Sequence, residues 1–158
     1  MVDKETLSYI KKHRTDDPRK LALQSHPSGV DMPYALEQIA GWQTACQKLP
    51  HWASIEDIIY PPHLSMEQCS SQPTAIYKQQ VAKRLLGNDA GTLVDLTGGY
   101  GVDFSYIVRA FRNGVYVERQ EVLCEAARHN FPLLGIGNAE IICGDGTEYL
   151  SRIDHVSM

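Results

Sequence analysis

Three carboxylates in the second half of this chain, Asp95, Glu118 and Asp145, each sit at or just after a short apolar run: Leu93 and Val94, then Val115 and Val117, then Ile141 and Ile142. Such runs read as buried parallel strands, so the acids fall at successive strand ends, where open α/β sheets bind their ligands. Gly98, Gly99 and Gly101 follow Asp95 directly and permit backbone angles and close ligand approach that a Cβ would block. A helix expected from about Val102 to Phe111 would aim its free N–H groups over that turn. Types and spacing together offer one chemistry, the binding of a small-molecule cofactor.

The details discriminate between cofactors. In the dinucleotide fingerprint G-x-G-x-x-G the third glycine allows close packing of helix on strand, and here Phe104 stands in its place. Asp103, at the helix start, would repel a pyrophosphate where that motif must attract one. S-adenosylmethionine carries no phosphate, and its methionine end bears an ammonium and a sulfonium, so acids beside a glycine turn suit it better. Glu118, about twenty residues beyond Asp95, can accept hydrogen bonds from both ribose hydroxyls. Two alternatives stay open: a nucleotide-binding half-domain of an NAD-linked oxidoreductase, and a non-catalytic interaction module.

The segment Asp95-Leu-Thr-Gly-Gly-Tyr-Gly-Val-Asp103 resembles the first motif of the class I S-adenosylmethionine-dependent methyltransferases, with Thr97 replacing the first glycine. Together with Tyr116-Val-Glu-Arg-Gln120, His129-Asn-Phe-Pro-Leu133, Gly144-Asp-Gly146 and Pro61-Pro-His-Leu-Ser-Met-Glu-Gln-Cys-Ser70, it is similar to a bacterial group of RNA-type methyltransferases with a THUMP-like C-terminal domain. The resemblance implies an enzyme with RNA as its substrate class. It also implies that Asp95 fixes the turn or meets the methionine ammonium, with Thr97 and Asp103 bordering it. Glu118 would hold the ribose, Arg119 would lie along the adenosine, Asp145 would sit beside the adenine amino group, and Gly146 would contact the ring. Tyr77 and Lys78 lie on a segment that in the superfamily often approaches the methionine end, although a core or surface role is the favoured reading for both. Base-methylating relatives carry an Asp/Asn-Pro-Pro-aromatic motif, or in the resembled group an Asp-Pro-Ala-Arg variant, after a fourth strand. Neither occurs after Asp145. Asp17-Pro-Arg19 is read as a helix start and Tyr60-Pro-Pro-His63 lacks the preceding acid or amide, so no catalytic residue is assigned. The expectation is an N-terminal portion of a longer enzyme, with self-association possible through an uncovered sheet edge.

The elements that must position these residues divide at Pro61-Pro62. Residues 1–60 read as a helical region, with breaks at Asp16-Asp17-Pro18, at Pro27-Ser-Gly29 and at Leu49-Pro50, and with Leu36, Ile39, Ala40 and Cys46 sharing one face of the third helix. Residues 61–158 read as a partial Rossmann-like α/β domain of three to four parallel strands. Ser65-Met-Glu-Gln68 has capping-box spacing, Ser71-Gln-Pro73 can start a longer helix, Gly87-Asn88 can end it, and residues 153–158 could begin a fourth strand. At 158 residues and 43% hydrophobic, the chain can bury a real core. Its net charge of -4 argues against whole-surface binding of nucleic acid, though not against a local basic patch. Four cysteines without a C-x-x-C pair, and six scattered histidines, suggest buried thiols in a reducing cytoplasm and no metal site. No apolar leader or membrane-spanning run is present.

Overall fold

The computed structural model describes residues 2–86 and 91–153. The helix stop at Gly87-Asn88 and most of the possible fourth strand lie outside these residues. Five helices precede the sheet domain's own first helix: α1 (Lys4–His13), α2 (Pro18–Leu21), α3 (Met32–Lys48), α4 (Pro50–Ala53) and α5 (His63–Gln68). Then come α6 (Gln72–Leu86), β1 (Thr92–Asp95), α7 (Val102–Ile107), β2 (Asn113–Glu118), α8 (Glu121–Leu133), β3 (Ala139–Cys143) and α9 (Gly146–Leu150). The strands form a parallel sheet in the order β1-β2-β3. This is the expected Rossmann-like α/β architecture with substantial helical content.

Local chemistry explains the helix starts. Asp3, Asp17 and Asp31 each accept a backbone N–H of the first turn, and Pro18 and Pro33 occupy early positions where a missing donor costs nothing. In α8 the buried residues Leu123, Cys124, Ala126, Ala127, Asn130 and Phe131 recur at helical spacing. Register places Asp95 opposite Tyr116 and Glu118 opposite Cys143, so Glu118 projects two residues beyond the end of β1.

Several expectations are corrected. Ser65 does not cap α5: the helix already begins at His63, because Pro62 fixes the entry to it. The helix after the glycine turn keeps α geometry only to Ile107 and tightens to a 3₁₀ turn over Val108–Ala110. On α3 the buried face runs through Ala35, Ile39 and Ala45 and leaves Cys46 exposed, since Gly41 packs directly on the Tyr60 ring and turns the helix that way. Of the four thiols only Cys124 is buried.

One apolar core spans the Pro61-Pro62 junction. Trp52, fully buried, lies 4.9 Å from the Tyr100 ring, and Ala45 and Leu49 join the same cluster as Phe104, Tyr116 and Phe131. The extended segment before the prolines is held by two buried carboxamides. Asn130 of α8 donates to the Ile59 carbonyl (2.8 Å) and accepts the Ile59 N–H (2.9 Å). Gln38 of α3 makes the same pair of bonds with Tyr60, at 2.9 and 2.8 Å. Each side chain thus imitates a strand partner for one residue.

Candidate cofactor site

The glycine turn rests on an aromatic platform. Phe104 and Phe131 stack at 5.4 Å, and Tyr116 meets both edge-on at 5.6 and 5.4 Å. A Cβ on Gly98 would stand 2.2 Å from the Tyr116 ring, and one on Gly101 would stand 2.9 Å from Phe131. Gly99 and Gly101 also have φ of +57° and +80°, the left-handed region that favours glycine. The turn is therefore glycine-rich because the chain must lie flat on aromatic rings while reversing direction. Phe104, which spoils the dinucleotide fingerprint, is one of those rings.

Hydrogen bonds fix the turn from both strands. Asp95 Oδ1 accepts the Thr97 N–H at 3.0 Å, and the Gly98 N–H donates to the Val117 carbonyl at 2.8 Å. Glu118 Oε2 accepts the Gly99 N–H at 2.8 Å, while Oε1 accepts the Gln120 N–H at 2.8 Å. The Tyr116 hydroxyl donates to the Gly99 carbonyl. Tyr100, within the turn, donates its hydroxyl to the Ile59 carbonyl at 3.0 Å and so ties the turn to the helical region.

Asp95, Asp103 and Glu118 surround this turn. Burial pushes the Asp95 carboxyl above its ordinary range, and the nearby charges of Asp103 and Glu118 push in the same direction. Asp103 points toward α6, where its Oδ2 accepts Lys78 Nζ at 2.5 Å and Ser70 Oγ at 2.9 Å. Lys78, favoured as a core or surface residue, is thus the counter-ion of an acid at the turn. Tyr77, its neighbour, is mostly exposed.

The third strand end contributes differently. Asp145 caps α9, accepting the N–H groups of Thr147 (2.7 Å) and Glu148 (3.3 Å), and these bonds lower its pKa. The Arg119 guanidinium lies 3.6 Å from Asp145, so the ends of β2 and β3 are bridged at the rim. Gly146 approaches the end of β1 so closely that a Cβ would meet the Leu96 carbonyl oxygen at 2.2 Å, which gives that glycine a packing role. Asp95, Thr97, the three glycines, Asp103 and Glu118 thus gather at one turn, with Arg119, Asp145 and Gly146 along the adjoining rim. The residue missed by sequence reading is Tyr116. A tyrosine among valines signals an apolar strand, and only the fold shows its hydroxyl reaching the turn.

Among the described residues no group of three or more His, Cys, Asp or Glu could hold a metal, and no helix is long and apolar enough to cross a membrane. No family model and no curated protein matches the sequence. Among solved structures, the chain is similar to the crystal structure of a "putative methyltransferase from Porphyromonas gingivalis W83". The two are 34% identical with a TM-score of 0.75, over 96% of this chain and 38% of that one. This chain therefore spans well under half the length of that protein.

Proposed function

We propose that this chain binds S-adenosylmethionine at the glycine turn and forms the cofactor-holding portion of a methyltransferase that acts on RNA in its complete form. The observation that carries the reading is the ring of Asp95, Asp103 and Glu118 around a turn bedded on aromatic rings. A pyrophosphate there would meet three acids, whereas a sulfonium and an ammonium are attracted by them. The likeness to the Porphyromonas protein supports methyl transfer as the reaction.

Each residue has a role in this reading. Glu118 receives the ribose hydroxyls: a carboxylate has about four lone-pair sites, so two remain after the Gly99 and Gln120 bonds. Asp95 shapes the turn through Thr97 and faces the cationic end, with Asp103 beside it. Gly98, Gly99 and Gly101 let the cofactor lie against backbone, while Asp145, Arg119 and Gly146 border the adenine. RNA as the acceptor rests on the family resemblance. Transfer of labelled methyl to bulk RNA by the complete protein is the expected result, and label on protein alone would overturn that substrate class.

Calorimetric titration tests the cofactor. The chain should bind S-adenosylmethionine in preference to NAD. Asp95→Ala and Glu118→Ala should each weaken binding about tenfold or more, as expected for hydrogen bonds to a charged group. Their far-UV circular dichroism should stay unchanged. Preference for NAD, or unchanged affinity in both variants, would sink the assignment.

A further inference from the structure

The largest cavity lies away from the glycine turn. It occupies about 780 Å³ between α1, α3, the segment before Pro61 and the outward face of α8. None of the residues at the turn or its rim lines it. Its walls are apolar, from Leu7 and Ile10 of α1, from Ile55 and Ile58, and from Val122 of α8. Leu7 and Val122, one from each half of the molecule, are left 41% and 51% exposed at this groove. A volume of this size is in the usual range for small-molecule sites.

A buried polar group independently points to a ligand. Tyr60 lines the cavity and is only 5% exposed, yet its hydroxyl has no hydrogen-bond partner. Burial holds this phenol well above its ordinary pKa, with the Arg14 and Glu56 charges of the cavity wall also acting on it. It is therefore a neutral donor waiting for an acceptor. The charges at the mouth are paired among themselves: Lys11 meets Asp57 at 3.1 Å, and Arg14 meets Glu56 at 3.5 Å while lying 4.9 Å over the Trp42 ring. Glu125 adds a further carboxylate, so the mouth attracts no anion. The Trp42 and Tyr34 rings on the α3 wall favour a flat, unsaturated body.

We propose that this cavity is a second binding site, for a neutral aromatic molecule whose carbonyl accepts a hydrogen bond from the Tyr60 hydroxyl. The site stands independently of the cofactor reading, because it shares no residue with the turn. An unmet buried hydroxyl is a cost that a ligand relieves.

NMR titration of the chain with benzamide tests it, with toluene as the ring lacking a carbonyl and benzoate as the anion. Benzamide should shift the Trp42 indole N–H and the Val122 methyl signals with a Kd on the order of a millimolar. Toluene and benzoate should bind at least about fivefold more weakly, the loss expected for one hydrogen bond or for an unfavourable charge. Tyr60→Phe should remove the advantage over toluene and leave the ligand-free Tm unchanged or raised. Three results would overturn the proposal: shifts confined to other residues, equal benzamide affinity in Tyr60→Phe, or a lowered Tm showing that the hydroxyl already serves the fold.

Discussion

At the scale of single residues, the glycines and the acids around them carry opposite demands. Gly98 has almost no room above it, so Gly98→Ala must push its methyl into the Tyr116 ring. Overpacking of this kind costs about 1–3 kcal/mol. A fall in urea midpoint at constant slope would register it, while an unchanged midpoint would show that the platform yields. Asp95 makes a prediction in pH. Its folded pKa is raised by burial above an unfolded value of about 3.9. Between the two values the folded chain holds more protons than the unfolded one, so this group's stabilisation is complete below the unfolded pKa and is lost as pH rises through the folded one. Asp95→Asn should flatten that slope in Tm against pH and raise Tm at neutral pH. Cofactor affinity should run the other way, growing as Asp95 ionises. Sequence made these positions visible by type and spacing. It could not reveal that rings beneath the turn, as much as any ligand above it, require two of the glycines, since that is settled by Tyr116 and Phe131, which arrive from two other elements.

At the scale of elements, the turn is held by what flanks it. The Tyr116 hydroxyl on β2 is the contact that sets the Gly99 carbonyl. Tyr116→Phe should cost about 0.5–1.5 kcal/mol in stability, the range for one hydrogen bond, and should loosen cofactor binding by a few-fold. Equal affinity in the variant would show that Glu118 alone positions the turn. The pair Lys78–Asp103 fastens α6 to α7, but both side chains are partly exposed, at 44% and 31%. Lys78→Ala should therefore change stability by no more than about 1 kcal/mol by chemical denaturation. The alternation of strands and helices was legible because hydrophobic period changes from two to 3.6 along the chain. Helix starts at Asp17 and Asp31 were legible for the same kind of local reason. The face of α3 was not: Gly41 meets Tyr60 across the fold, and no local pattern encodes that contact.

At the scale of the whole molecule, the helical region and the sheet region share a core around Trp52 and Tyr100. Trp52→Ala should cost about 3–5 kcal/mol, the range for a large buried aromatic. The intact chain should melt in one transition, with tryptophan fluorescence and far-UV circular dichroism coincident. Two separated transitions would show that the regions fold as independent units. The prolines at 61 and 62 mark a change of chain direction in sequence, whereas the sharing of the core across them is a property of packing alone.

The carboxamide clasps on Ile59 and Tyr60 have a consequence for solvent exchange. Neither residue lies in a helix or strand, and such backbone ordinarily trades its amide hydrogens with water quickly. Here both N–H groups are capped by side chains buried to 1% and 5% exposure, one from each half of the molecule. In deuterium oxide these two hydrogens should therefore persist as long as those of the central strand β2, released only when α3 and α8 part company.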